Sequence, residues 1–213
     1  AELAGRAPGV AALEDGRLVG FLTAMSLPSF KGKRSAFSPE WANAAAADQH
    51  AGTIYQALYA ALAPAWLANG CYLHALRVFA HDRAGLQGLY WQGFGLNNVD
   101  AVRDLAPLAA EAPGVLIRQA AAADVETIAA LGDALHRHLA APPIYLPLLE
   151  LESRTDYLDW LAQPGHVQWL ALREGAAVAE MRLEPSNYTV SAAAADEQST
   201  FITSAYTVPS ARS

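Results

Sequence analysis

The chain has 213 residues, with 14 Lys and Arg against 21 Asp and Glu, a formal net charge of −7. With 53% hydrophobic and only 16% charged residues it has far too much apolar content for a disordered acidic chain, and its length permits one large domain or two small ones. The acidic balance argues against nucleic-acid and anionic-membrane partners, which need Lys and Arg to neutralise phosphate.

Taken in chain order, residues 9–13 and 17–27 read as two strands of a hairpin around Asp15-Gly16, where glycine supplies a positive φ cheaply. A polar loop from Ser29 to Arg34 follows, then a short strand ending at Phe37-Ser38-Pro39. Over 53–68 the positions Ile54, Leu58, Leu62 and Trp66, flanked by Tyr55 and Tyr59, form the stripe of an amphipathic helix. Asn69-Gly70 stops it. Tyr72 to Phe79 reads as a strand, Asp82 caps a helix over 83–92, and Leu96 to Val102 is strand-like. Pro107 to Pro113 is alanine-rich and linker-like. Beyond it come a strand at Val115–Arg118, a helix from Asp124 to about Leu139, a break at Ala141-Pro142-Pro143, and a helix over roughly 150–162. A second hairpin, a polar loop from Asn187 to Gln198 and a closing strand from Thr200 to Val208 complete the chain. Short strands mixed with helices in this way imply an α+β fold, a mixed β-sheet flanked by helices.

The two hairpins are alike. At an offset of 159 residues, Ala12, Leu13, Gly16 and Val19 recur as Ala171, Leu172, Gly175 and Val178. Each copy is a strand, a charged residue followed by glycine, and a strand.

The run Val78-Phe79-Ala80-His81-Asp82-Arg83-Ala84, followed by Leu89-Tyr90-Trp91-Gln92-Gly93-Phe94, resembles a signature of the GCN5-related N-acetyltransferase (GNAT) superfamily. There a valine strand leads into an Asn/Asp-capped helix that ends in Gly-Phe. Val115–Arg118 with Asp124-Val125 is similar to the opening strand and helix of that fold, and Tyr206 to Arg212 to its fourth strand running into the cofactor loop. The resemblance implies a tandem arrangement of two GNAT-like units: the back of one domain at 1–108, a linker at 109–113, and the front of a second at 114–213. It further implies a longer protein, a transferase moving an acetyl group from acetyl-CoA to a primary amine on a small molecule or peptide. The alternative is a non-catalytic ligand-binding or scaffolding protein of the same fold.

Such chemistry needs backbone partners for the pantetheine arm, amides at a helix start for the pyrophosphate, an oxyanion donor and a base for the amine. By the resemblance, Tyr206, Thr207, Val208, Arg212 and Ser213 would hold the cofactor, and Glu184 would be the base, with Glu180 beside it on the same hairpin. In the first unit Ala42 to Ala47 replaces the Arg and glycines of the family loop, so that copy reads as degenerate. Leu89 stands where the family often carries a tyrosine acid; Tyr90, one residue on, points about 100° round the helix and reads as a packing residue.

Other candidates have plainer readings. His136 and His138, two apart on a helix, do not converge on a metal, and with His166 they read as surface histidines; no metal site is expected. His74 reads as a satisfied core histidine, His81 as exposed, and Lys31, Lys33 and Arg34 as a solvated loop. A lone Cys71 cannot form an internal disulfide and reads as buried. It fits a reducing compartment, and the first residues lack the apolar core of a signal peptide. A cytoplasmic protein without membrane association, compatible with a homodimer, is the expectation.

Overall fold

The structure is a computed structural model and describes residues 8–46, 50–106, 113–147, 151–186 and 198–212. Among them, three sheets and four α-helices make an α+β fold. The chain divides into two compact units, one ending at Val102 and the other beginning at Arg103.

The first unit opens with the hairpin of β1 (Gly9–Glu14) and β2 (Arg17–Thr23). A second hairpin, β3 (Met25–Phe30) and β4 (Lys33–Ser38), turns tightly at Lys31 and Gly32, both with positive φ. Strand β5 (Asn43–Ala45) returns to pair with β2. Helix α1 (Ala51–Ala68) follows, then β6 (Leu73–Leu76), parallel to β4, and helix α2 (Arg83–Tyr90). Asp82 caps α2 by accepting the Gly85 N–H at 2.9 Å, relieving an otherwise orphaned donor.

Two three-stranded sheets result, in the orders β1-β2-β5 and β3-β4-β6. Helix α1 buries Tyr55, Leu58, Leu62 and Trp66, and Leu58, Leu62 and Trp66 form a core with Leu22, Ala24, Ala36 and Cys71. Its approach to β2 is close: a Cβ on Gly20 would sit 2.5 Å from the Ile54 side chain.

The second unit is one antiparallel sheet in the order β10-β9-β8-β7. Its strands are β7 (Val115–Gln119), β8 (Val167–Arg173), β9 (Ala176–Pro185) and β10 (Thr200–Thr207). Helices α3 (Val125–Ala140) and α4 (Arg154–Leu161) join β7 to β8. Ser153 and Asp156 form a reciprocal capping box at the start of α4. Ile128, Ala129, Leu131, Tyr157, Leu170 and Tyr206 make the core between helices and sheet.

The two hairpins share more than residue identities. In the first, Ala12 faces Gly20, the register then slips, and Leu13 faces Leu18. In the second, Ala171 faces Ala179, the register slips at the same place, and Leu172 faces Ala177. Both turns carry two successive positive-φ residues, Asp15-Gly16 and Glu174-Gly175. The equivalence extends to the third strand. Asn43, Ala44 and Ala45 face Leu22, Phe21 and Gly20; Ala205, Tyr206 and Thr207 face Met181, Glu180 and Ala179. The next amide repeats too, Ala46 N–H reaching the Val19 carbonyl at 2.7 Å and Val208 N–H the Val178 carbonyl at 2.9 Å.

Several expectations are corrected. The segment 17–27 is two strands parted at Ala24, and most of the expected 29–34 loop is strand around a two-residue turn. Ala42 to Ala47 was expected to stand in the family's loop; its Asn43–Ala45 is instead strand β5, the counterpart of Ala205–Thr207. Residues 96–102 are not a strand; Leu96, Val99 and Val102 are exposed there, so no burial holds the segment extended. Tyr90 is 47% exposed rather than packed, and Leu89 takes the buried position at 4%. Residues 109–112 of the linker, the polar loop over 187–197 and Ser213 lie outside the described residues. No helix among those described is long and apolar enough to cross a membrane.

Candidate functional site

Among the described residues β10 is an edge strand, bonded on one side to β9. In an antiparallel pair, backbone groups point alternately toward and away from the partner. Since the Val208 N–H points inward to Val178, Tyr206 and Ser204 also bond inward, and the N–H and C=O of Ala205 and Thr207 point to the open edge. The Thr207 carbonyl is met by Arg212, whose Nε donates to it at 2.8 Å.

Arg212 follows a short 3-10 turn at Pro209–Ala211. Its guanidinium lies over the Tyr206 ring, 5.3 Å from the centroid, and 3.4 Å from His138 Nε2. Tyr206 itself is 8% exposed and belongs to the core, its phenol buried and its backbone turned inward to β9. Tyr206, Thr207, Val208 and Arg212 thus come together at the end of β10.

Glu184 is placed elsewhere on the hairpin. It pairs with Phe201, and Trp160 Nε1 donates to its carboxylate at 3.4 Å. Four residues separate it from Glu180, about 13 Å along a strand. Glu180 instead faces Tyr206 directly. It is 5% exposed and accepts hydrogen bonds from Gln168 Nε2 at 2.5 Å and Ser204 Oγ at 2.7 Å. Gln168 and Ser204 carry no pattern in the sequence; the only available signal was strand parity, which places Gln168, Leu170, Glu180 and Arg182 on one face.

Among the described residues the opposite face of this sheet is open. A cavity of about 550 Å³ lies against it, lined by side chains that include Trp169, Ala171, Ala179, Met181, Leu183 and Ala205. Ala179 and Met181 are the repeat counterparts of Gly20 and Leu22, which α1 covers in the first unit.

The first unit's counterpart of the β10 end is differently built. Pairing of β4 with β6 stops at Ser38 and Leu76, with one more bond from Arg77 N–H to the Ser38 carbonyl. The chain then turns away at Pro39–Ala42 to join β2, so the two sheets part there. The Asn43 side chain bridges that parting. Its Nδ2 donates to the Pro39 carbonyl at 2.9 Å and to Ser38 Oγ and the Arg77 carbonyl, both at 3.1 Å. Its Oδ1 accepts from Tyr55 Oη at 2.8 Å.

The remaining candidates are separate. His74 has both nitrogens engaged, by Tyr59 Oη at 2.8 Å and the Cys71 carbonyl at 2.9 Å. A carbonyl only accepts, so Nε2 donates to it. Cys71 is buried and His81 exposed. Lys31 bonds Asn97, and burial lowers its pKa. Among the described residues no three His, Cys, Asp or Glu side chains are grouped to hold a metal ion.

No protein-family model and no curated protein matches this chain. Among solved structures it is similar to one titled "Crystal structure of FemX", at 11% sequence identity and a TM-score of 0.36. That match covers 78% of this chain and 48% of the other, so the chain spans about half the length of the structure it matches.

Proposed function

We propose that the protein is a GNAT-like N-acyltransferase whose second unit transfers an acetyl group from acetyl-CoA to a primary amine. The observation that carries this reading is the edge of β10. Two alternate residues, Ala205 and Thr207, turn their backbone groups outward beside a strand end carrying Arg212. An extended arm containing two amides, such as pantetheine, finds complementary donors and acceptors there, in the manner of strand addition. Arg212 supplies the positive charge that a pyrophosphate wants, in a fork able to contact two oxygens.

The first unit is read as a non-catalytic partner. Asn43 and Tyr55 fill the parting between its sheets with a closed set of hydrogen bonds, leaving no backbone there for an entering arm. The same observation supports the second reading, a binding or scaffolding protein, should the β10 edge prove equally closed.

Thermal denaturation with acetyl-CoA separates the two. A ligand at 100 times its dissociation constant adds about 2.7 kcal/mol, enough to move the transition of the unit that binds it. The absence of any shift at millimolar acetyl-CoA overturns the enzyme reading.

A further inference from the structure

The cavity of the second unit repeats a place that is filled in the first. At the offset of 159 residues, Val10, Ala12, Gly20, Leu22 and Ala24 become Trp169, Ala171, Ala179, Met181 and Leu183. These five counterparts all line the cavity of about 550 Å³. In the first unit Val10, Ala12, Leu22 and Ala24 lie in or against the core that α1 closes, and Gly20 lies directly beneath Ile54 and Leu58. Helix α1 crosses β1, β2 and β5. By register, those strands correspond to β8, β9 and β10.

Among the described residues nothing covers the second copy of this surface. Ile117 is 60% exposed and Met181 38%. Glu180 is the charged residue of the cavity lining, and strand parity turns its side chain to the other face. What remains is an uncharged, apolar surface across several strands, of the kind that marks an interaction site.

The shape of the seat follows from the substitutions within it. A Cβ on Gly20 would lie 2.5 Å from the Ile54 side chain. Ala179 has that Cβ, so a helix lying on it as α1 lies on Gly20 needs a smaller residue at the Ile54 position. The source of the helix follows from what is already engaged. Helix α1 is committed to its own sheet, α2 to α1, and α3 and α4 to the core on the opposite face. A second copy of the chain offers only the same four.

We propose that this face docks an amphipathic helix of a different polypeptide, laid across β8, β9 and β10 as α1 lies across β1, β2 and β5. Its stripe carries a small residue over Ala179 and leucine-like residues four and eight places on, the spacing of Ile54, Leu58 and Leu62. The docking stands independently of acyl transfer, because it uses the face of the sheet and not the β10 edge.

The test is fluorescence anisotropy with the full chain and a labelled synthetic peptide spanning His50 to Gly70 with Ile54→Ala. A scrambled peptide of the same composition and the peptide with Ile54 restored are the controls. Saturable binding is expected, at least about tenfold tighter than that of the scrambled peptide and about fivefold tighter than that of the Ile54 peptide, where overpacking intervenes. It should fall at least about tenfold in Met181→Glu and in Ala205→Glu, both at exposed positions where a charge leaves the fold intact by circular dichroism. Either variant decides the matter if the other fails to fold. No binding up to about 1 mM peptide, equal binding of either control peptide, or undiminished binding in a folded variant overturns the proposal. Sedimentation velocity supplies one more outcome: a dimer of the unaltered chain that Met181→Glu dissolves gives the face to a second copy and overturns it as well.

Discussion

Tyr55 donates a 2.8 Å hydrogen bond to the side-chain oxygen of Asn43, and Asn43 passes the connection on to the backbone carbonyls of Pro39 and Arg77. Two side chains thereby join helix α1 to both sheets of the first unit where those sheets part. Asn43→Ala leaves the Tyr55 hydroxyl and the Arg77 carbonyl without this partner, while the Pro39 carbonyl keeps the Ala42 N–H, and costs about 1–3 kcal/mol. Tyr55→Phe removes one bond and keeps the packing, costing about 1 kcal/mol. Burial, and then the charge of Asp82, push the Tyr55 phenol up to about 12. Its contribution is therefore present below pH 10 and is lost as pH rises from about 10 through about 12. Urea unfolding of the two variants and the unaltered protein at pH 7 measures the ranking; equal midpoints would show that the bridge holds nothing.

Helices α1 and α2 cross where two glycines meet. A Cβ on Gly88 would lie 2.5 Å from the Gly52 Cα, a backbone atom that cannot rotate aside. In Gly88→Ala the gain in helix propensity, about 1 kcal/mol, opposes an overpacking cost of about 1–3 kcal/mol. Net destabilisation is expected, read as a lower thermal midpoint. A rise in midpoint would mean that the helices separate freely.

In the second unit, Arg118 grips both oxygens of Asp124, at 2.7 and 2.8 Å, and the Ala121 N–H adds a third bond. The Arg118 bond foremost, then that of Ala121, holds the Asp124 carboxyl down at about 2. A depressed carboxylate stabilises the fold above its unfolded pKa, and that stability is lost as pH falls from about 4 through about 2. Asp124→Asn should thus lower the thermal midpoint at pH 7, with the gap to the unaltered protein closing near pH 2. A gap of constant size down to pH 2 contradicts the assignment.

The open edge of β10 can be probed through the backbone alone. The Thr207 N–H faces outward, so Thr207→Pro removes a donor that the sheet does not use, as edge strands tolerate. Acetyl-CoA should bind about tenfold more weakly, the equivalent of one lost hydrogen bond, with the fold retained by circular dichroism. Val208→Pro, which removes the inward bond to Val178, should instead destabilise the unit. Unchanged acetyl-CoA affinity in a folded Thr207→Pro protein would place the cofactor elsewhere.

Local chemistry made much of the fold legible. Asp15-Gly16 and Glu174-Gly175 supply the backbone freedom of their turns, Asp82 caps α2, and the stripe from Leu58 to Trp66 is the face that α1 buries. Each depends on residues close in the chain, where spacing and propensity act directly. The offset of 159 residues likewise announced the repeat, because equal spacing of a turn glycine and its strand partners yields equal register.

What the sequence could not reveal was which strand segments share a sheet and which side chains meet across it. The division of 17–30 into β2 and β3, the strand made by Asn43–Ala45, and the loss of Leu96–Val102 as a strand all follow from long-range pairing. That pairing is settled by burial and by backbone partners distant in the chain. The same applies to Glu180. Its place on an alternating strand was visible, but only packing of β8, β9 and β10 side by side set it between Gln168 and Ser204 and, among the described residues, without a counter-charge. Sequence determined the local elements and the repeated hairpin; tertiary structure decided which carboxylate is buried beside the β10 edge, because burial and the lack of a cation are properties of neighbours that no spacing encodes.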